Sequence, residues 1–227
     1  MLNVHIIPIL SDNYAYALEA PNSQELVVID PGEAAPIIAY LDAHGLKPTQ
    51  IWHTHHHWDH VDGIEDLSAH YGGLPVFNTK NPPADHFAEE PLEIIKTPGH
   101  TLDHICFYFP KSAIIFTADT LFSMGCGRLF EGSATQMWES FSKISVLDDE
   151  TLIYPGHEYT LSNAQFCLKQ EPNNQALIER LEEVEKLRAE NKPTIPVALA
   201  REKQTNVFLR AKDAEEFAKL RALKDKG

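Results

Sequence analysis

The stretch THHHWDH, residues 54–60, places His55, His57, Asp59 and His60 within six positions. Imidazole nitrogen and carboxylate oxygen are the donors that divalent transition metals accept. The apolar run before it, IWHT at 51–54, reads as a strand. If that strand continues, side-chain alternation puts His55 and His57 on one face. Asp59 and His60 then belong to the turn that follows, and the cluster can face two metals. His56 is expected to point away, and Trp58 to serve in packing. Three more candidates each follow a strand-like run: His100 in IIKTPGHT, Asp119 in AIIFTADT and His157 in TLIYPGHE. A lone histidine at a strand end is ordinarily a satisfied polar residue. Five histidines and two aspartates arranged this way in one chain favour a metal centre instead.

Outward from this segment, the chain has 227 residues, enough for one domain or one domain with a small appendage. A hydrophobic fraction of 43% supplies a core and excludes wholesale disorder. With 19 Lys and Arg against 33 Asp and Glu, the net charge is -14, which speaks against a nucleic-acid partner. No apolar run approaches the roughly 20 residues that span a bilayer. The opening MLNVHIIPILSDN lacks the features of a secretory signal. Cys106, Cys126 and Cys167 make no disulfide framework, so a cytoplasmic location is expected. Without a coiled-coil seam, the expected state is a monomer.

Strands are expected at 3–8, 14–19, 26–30, 74–77, 92–96, 104–109, 113–117 and 151–154. AAPIIAYLDAHG reads as a helix closed by Gly45, and a second helix fits 62–71. Ser133 and Gln136 have capping-box spacing ahead of QMWESFSKIS. Strands and helices mix, so the fold class is α+β or layered α/β and not an all-parallel sheet. After about residue 160 the pattern turns helical. Leu177, Leu181, Val184 and Leu187 share one helix face, and a last helix covers DAEEFAKLRALK. Residues 201–227 carry eight basic and five acidic side chains, a basic tail on an acidic protein.

The chain resembles the metallo-β-lactamase superfamily and, within it, the hydroxyacylglutathione hydrolases, also called glyoxalase II. Thr54–His60 fits the pattern T-H-x-H-x-D-H; TPGHT (97–101), ADTLF (118–122), GCGRLFEG (125–132) and PGHEYT (155–160) fit later blocks in order. The resemblance implies a four-layer αββα sandwich. Residues 1–160 would form the catalytic domain and 161–227 a small helical substrate-binding region. It also implies two divalent metal ions, zinc first, with iron or manganese as alternatives. His55, His57 and His100 would hold one ion, Asp59, His60 and His157 the other, and Asp119 would bridge them. Asp30 in VVIDPG matches a position near the ligands, where a plain Asp-Pro-Gly turn is an equal explanation.

Two such ions can share a water and lower its pKa toward roughly 7, giving a bridging hydroxide without a Ser or Cys nucleophile. Asp59 is the candidate to orient it. There is no G-x-S-x-G elbow. Cys126 reads as a small residue in a tight glycine loop. Arg221 and Lys224 sit at i and i+3 on one helix face and match the family's glutathione-binding R-x-x-K. Arg128 and Tyr159 match further substrate contacts. The implied reaction is hydrolysis of an S-(2-hydroxyacyl)glutathione, with S-D-lactoylglutathione as the physiological expectation in methylglyoxal detoxification. Alternatives are a mono-iron glutathione-persulfide dioxygenase, a lactonase, or a metal-stabilised binding protein without turnover. The chain departs from the family at Asp62, Asp103 and Ala118 and in a shortened segment at 78–91. There Pro82, Pro83 and Pro91 argue against a strand and His86 is expected on a surface loop.

Overall fold

The computed structural model describes residues 2–21 and 23–226. Five strands form the first sheet: β1 (Asn3–Ile9), β2 (Asn13–Glu19), β3 (Leu26–Ile29), β4 (Gln50–Trp52) and β5 (Val76–Phe77). They lie in sequence order, antiparallel from β1 to β3 and parallel from β3 to β5. The change of direction follows from the connections. Short connections, residues 10–12 and 20–25, join the first three strands. The helix α1 (Ala34–His44) returns the chain for β4, and α2 (Trp58–Val61) with α3 (Ile64–His70) returns it for β5. Gly45 ends α1 in the left-handed conformation, at φ 66°, as its place in the sequence predicts.

Ala15, Ala17, Val28 and Ile51 form one face of this sheet and pack with Ile37, Leu41 and Leu67 from α1 and α3. Alternation sends Trp52 to the opposite face. Its ring meets Phe87, Phe107 and Phe109 with centroids 5.6, 5.0 and 6.2 Å away. Phe87 belongs to a small hairpin of β6 (His86–Phe87) and β7 (Glu90–Pro91). The prolines therefore do not keep the 78–91 segment free of strand. Two residues per strand are enough when Phe87 anchors them, and Pro91 lies in so short a ladder that its missing N–H costs little. His86 is exposed, but it lies in β6 and not on the expected loop.

The second sheet contains β8 (Glu93–Lys96), β9 (Ile105–Phe109) and β10 (Ile114–Ala118). A two-stranded ribbon follows, β11 (Leu121–Phe122) with β12 (Gly125–Cys126). Later come the helix α4 (Ala134–Ser145) and the strand β13 (Leu152–Pro155). The C-terminal part contributes α5 (Thr160–Gln170), α6 (Gln175–Ala189), β14 (Val197–Ala198), α7 (Leu199–Thr205) and α8 (Ala214–Asp225). The sheet order is β14-β13-β10-β9-β8, with β10 and β13 parallel. Ser133 and Gln136 form the predicted capping box at α4. The chain divides into two compact units, Met1–Ile94 with Phe107–Ser112, and Ile95–Cys106 with Ala113–Gly227.

In the second unit, the C-terminal helices satisfy the backbone of the β11–β12 turn. Glu202 accepts hydrogen bonds from Ser123 Oγ (2.9 Å), Met124 N (2.7 Å) and Asn206 Nδ2 (3.0 Å). Asn206 Nδ2 also donates to Gly125 O at 3.1 Å, and Asn163 Nδ2 to Ser123 O at 3.1 Å. Burial pushes the Glu202 carboxyl above the usual range, against these three donors. Among the described residues no helix is long and apolar enough to cross a membrane.

Phe87 tests the aromatic anchor. Phe87→Ala should lower unfolding free energy by about 3–5 kcal/mol, the usual cost of emptying a buried ring site, as read by urea denaturation. A loss below about 1 kcal/mol would mean that the hairpin holds by other means.

Candidate metal centre

The strand β4 stops at Trp52, so His55 and His57 do not ride on a continued strand. They lie in the loop between β4 and α2, with His57 as the N-cap of that single-turn helix and Asp59 and His60 inside it. Their order comes from hydrogen bonds instead of strand alternation. In the first unit, Asp30 Oδ1 accepts from Thr54 N at 2.7 Å, and Oδ2 accepts from Thr54 Oγ1 at 2.8 Å. Asp30 Oδ2 also lies 3.1 Å from His60 Nδ1. Thr54 Oγ1 lies 2.9 Å from His55 Nδ1.

These contacts fix two tautomers. An ionised carboxylate only accepts, so His60 Nδ1 carries the hydrogen. The Thr54 hydroxyl has already given its hydrogen to Asp30, so it accepts from His55 Nδ1. Both rings are left with Nε2 as the electron-pair donor, the state a metal ligand requires. Donor atoms of His55 and His57, of His55 and His60, and of Asp59 and His60 lie within 4.8 Å of one another. Asp30 thus serves both readings of VVIDPG: it orients the histidines, and its own carbonyl accepts from Gly32 N at 2.9 Å in the turn.

Asp59 is oriented by a residue that the motif does not reveal. Asn13 Nδ2 donates to Asp59 Oδ2 at 2.9 Å and reaches Asp59 O at 3.4 Å. Forty-six positions separate the two, and no spacing rule links them; the buried Asn at the start of β2 is the only signal. Gly32 makes the approach of α2 possible, since a Cβ there would lie 1.8 Å from Asp59 O. Trp58 is 63% exposed and does not pack in the core as expected, because the single turn of α2 presents it outward.

The second unit carries the other candidates. His100 Nε2 and His157 Nε2 each lie 3.4 Å from an oxygen of Asp119, at Oδ2 and Oδ1 respectively. His100 Nδ1 donates to Arg128 O at 2.8 Å, which again leaves Nε2 as the ring's electron-pair donor. Gly127 lets that loop close, since a Cβ there would lie 2.0 Å from Asp119 O and 2.9 Å from His100 Nδ1. Asp119 follows Ala118, held at φ 39°, where the pairing with β13 shifts register. The His157 ring stacks on Tyr159 at 4.6 Å and 9°. Asp62 is exposed, and Asp103 accepts from Thr101 Oγ1 at 2.8 Å.

The substrate candidates of the second unit are arranged unevenly. Arg128 is 69% exposed on its side chain. Arg221 is buried and spans Cys126 O at 2.9 Å and Asp225 Oδ1 at 2.8 Å. Lys224 Nζ donates to Ser162 O at 3.1 Å and lies 5.2 Å from the centre of the Phe166 ring. Burial and the neighbouring Arg221 hold its pKa below the usual lysine range.

Residues 10–83 and 71–157 match the family model of the metallo-β-lactamase superfamily, and residues 158–227 match that of the hydroxyacylglutathione hydrolase C-terminus. The chain is thus a metallo-β-lactamase-fold protein with an added helical C-terminal part. ETHE1 from Myxococcus xanthus shares that fold, at TM-score 0.71 and 23% identity over 98% of this chain and 90% of its own. TTHA1623, solved in a di-iron-bound form, aligns at TM-score 0.56 and 26% identity over 68% of this chain and 91% of its own. A hydroxyacylglutathione hydrolase of Ruegeria pomeroyi (strain ATCC 700808 / DSM 15171 / DSS-3) is 43% identical over 251 residues, covering 99% of this chain and 98% of the relative. Within the superfamily, the chain belongs to the hydroxyacylglutathione hydrolases, and it is an enzyme.

Cys126 and Cys167 are both buried and held in the thiol form. Burial pushes the Cys126 thiol up to about 11, although Arg221 draws it down, and the Cys167 thiol up to about 12. Native protein at pH 8 should therefore leave Cys126 and Cys167 unmodified by iodoacetamide over an hour, and denatured protein should label both. Rapid native labelling of Cys126, read by mass spectrometry, would reverse this conclusion.

Proposed function

We propose that this enzyme hydrolyses S-(2-hydroxyacyl)glutathione, with S-D-lactoylglutathione as its physiological substrate, in methylglyoxal detoxification. The products are glutathione and a 2-hydroxy acid, D-lactate for that substrate. Family membership supports the thioester, and the observation that carries the reading is the set of oriented imidazoles. In His55, His60 and His100, a hydrogen bond at Nδ1 leaves Nε2 as the donor. The donor set suits two divalent ions, zinc first and iron or manganese as alternatives. In this reading His55, His57 and His100 would hold one ion, and Asp59, His60 and His157 the other. Asp119 would be the residue shared between them.

When bound, the ions would supply Lewis acidity toward the thioester carbonyl and make water more acidic. Asp59, steadied by Asn13, orients the attacking oxygen. Attack on the carbonyl carbon breaks the C–S bond, and the sulfur leaves with a proton as the glutathione thiol. Arg128 and Lys224 offer positive charge to the glutathione carboxylates, and Tyr159 offers its hydroxyl. Arg221, which also holds the Cys126 carbonyl, offers the fourth substrate contact. Residues 1–160 then act as the catalytic domain, and 161–227 as the region that binds the glutathione moiety. We further propose a monomer in the cytoplasm; three buried cysteines without a disulfide suit a reducing compartment.

Elemental analysis and S-D-lactoylglutathione hydrolysis on one purified sample test the proposal. Near two metals per chain with robust turnover is the expected result, and two metals without turnover would refute the substrate. Asp59→Ala should lower metal content toward one per chain and cut kcat by at least roughly 100-fold, in line with losing an oriented catalytic group. Wild-type turnover with one metal would reject the dinuclear mechanism. Lys224→Ala should raise KM for the glutathione thioester roughly five- to tenfold with a smaller change in kcat, the mark of lost uniform binding.

A further inference from the structure

In the second unit, the loop carrying Arg128 and the end of α8 share one carboxylate. Asp225 Oδ1 accepts from Arg221 Nη2 at 2.8 Å and lies 3.9 Å from Arg128 Nε. The Arg221 side chain is 6% exposed, against 44% for Asp225. Asp225 therefore stands on the solvent side of the buried guanidinium, between it and the exposed Arg128. Its position is electrostatically awkward. As the last residue of the 12-residue helix α8, it places negative charge where the helix dipole is already negative. The helix itself offers no stabilisation for an acid there, so the two guanidiniums supply it.

A guanidinium presents a planar fork that carboxylates fill in a two-pronged way. One prong of Arg221 is spent on the Cys126 carbonyl and the other on Asp225. A carboxylate arriving from solvent meets a fork that is already filled by a carboxylate of this chain. We propose that Asp225 is a specificity-determining residue that occupies the arginine pair in the free enzyme and yields it to a carboxylate of the substrate. This rests on the proposed glutathione thioester as substrate. Exchanging one carboxylate for another conserves the ion pairing of Arg221, so a carboxylate-bearing ligand loses little by displacing Asp225. A neutral ligand would leave Arg221 without its counter-charge and is disfavoured. The same exchange makes affinity for glutathione lower than the two arginines alone would give.

The test compares wild type, Asp225→Ala and Asp225→Asn as metal-loaded full-length protein, with circular dichroism to confirm folding. Calorimetry measures binding of free glutathione. Steady-state assays give KM for S-D-lactoylglutathione and for an N-acetylcysteamine thioester, which has neither glutathione carboxylate. With the competitor removed, Asp225→Ala should bind glutathione roughly two- to fivefold more tightly and lower KM for its thioester by a similar factor, the scale of a partly exposed ion pair. The KM ratio between the neutral and the glutathione thioester should change accordingly. Asp225→Asn keeps a hydrogen-bond acceptor without the charge and should fall between; if the alanine variant does not fold, the asparagine variant decides alone. Unchanged or weaker glutathione binding in the folded variants would make Asp225 a plain helix-end clamp and overturn the proposal. If wild type binds no glutathione and does not cleave its thioester, the substrate reading and this inference both fall. Wild-type turnover with unaffected variants sinks only the role of Asp225.

Discussion

Asp30 accepts three hydrogen bonds while almost wholly buried, and the geometry of the histidine segment follows from it. A buried carboxylate without such partners would cost several kcal/mol. Each of its partners is thereby committed. Thr54 N pins the exit from β4, the Thr54 hydroxyl sets the tautomer of His55, and the His60 ring is turned by its Nδ1. The residue holds φ at 53°, a left-handed conformation that aspartate tolerates better than most side chains. Strain at this turn is thus tied to the orientation of two imidazoles, one of them 30 positions away.

The second unit solves a similar problem by different means. The turn between β11 and β12 has carbonyls and amides that no regular ladder can satisfy, and Met124 sits at φ 55°. Glu202, Asn163 and Arg221 from C-terminal helices, with Asn206 at the end of α7, supply the missing partners. A buried acid with a raised pKa is tolerable there because three donors converge on it. The C-terminal helices therefore form part of the scaffold of the loop on which Arg128 rides.

Much of this was legible in the chain itself. The Ser133 capping box and the terminal helix follow from local pattern and appear where it puts them, whereas His55 and His57, expected on a continued strand, lie beyond the end of β4. Local pattern fails where a long-range contact decides. Asn13 orients Asp59 across 46 positions. Phe87 builds a hairpin in a proline-rich stretch by docking on Trp52 and Phe109. Trp58 turns outward because the strand ends six residues earlier and a single helical turn intervenes. Spacing puts Arg221 and Lys224 on one helix face but does not show what packs there, and Arg221 is buried against the Cys126 loop.

Arg128 joins two jobs in one residue: its carbonyl fixes the tautomer of His100 at 2.8 Å, while its side chain extends to solvent. Only the side chain is open to change by substitution, since every amino acid brings the same carbonyl. Evolution can therefore retune charge at this point with little disturbance to the histidine. An inserted or deleted residue between Gly125 and Gly132 has no such licence, because it would slide the carbonyl away from the ring. The loop should thus vary at position 128, but not at Gly125, Gly127 or Gly132, where a Cβ would meet a neighbour, and hardly at all in length.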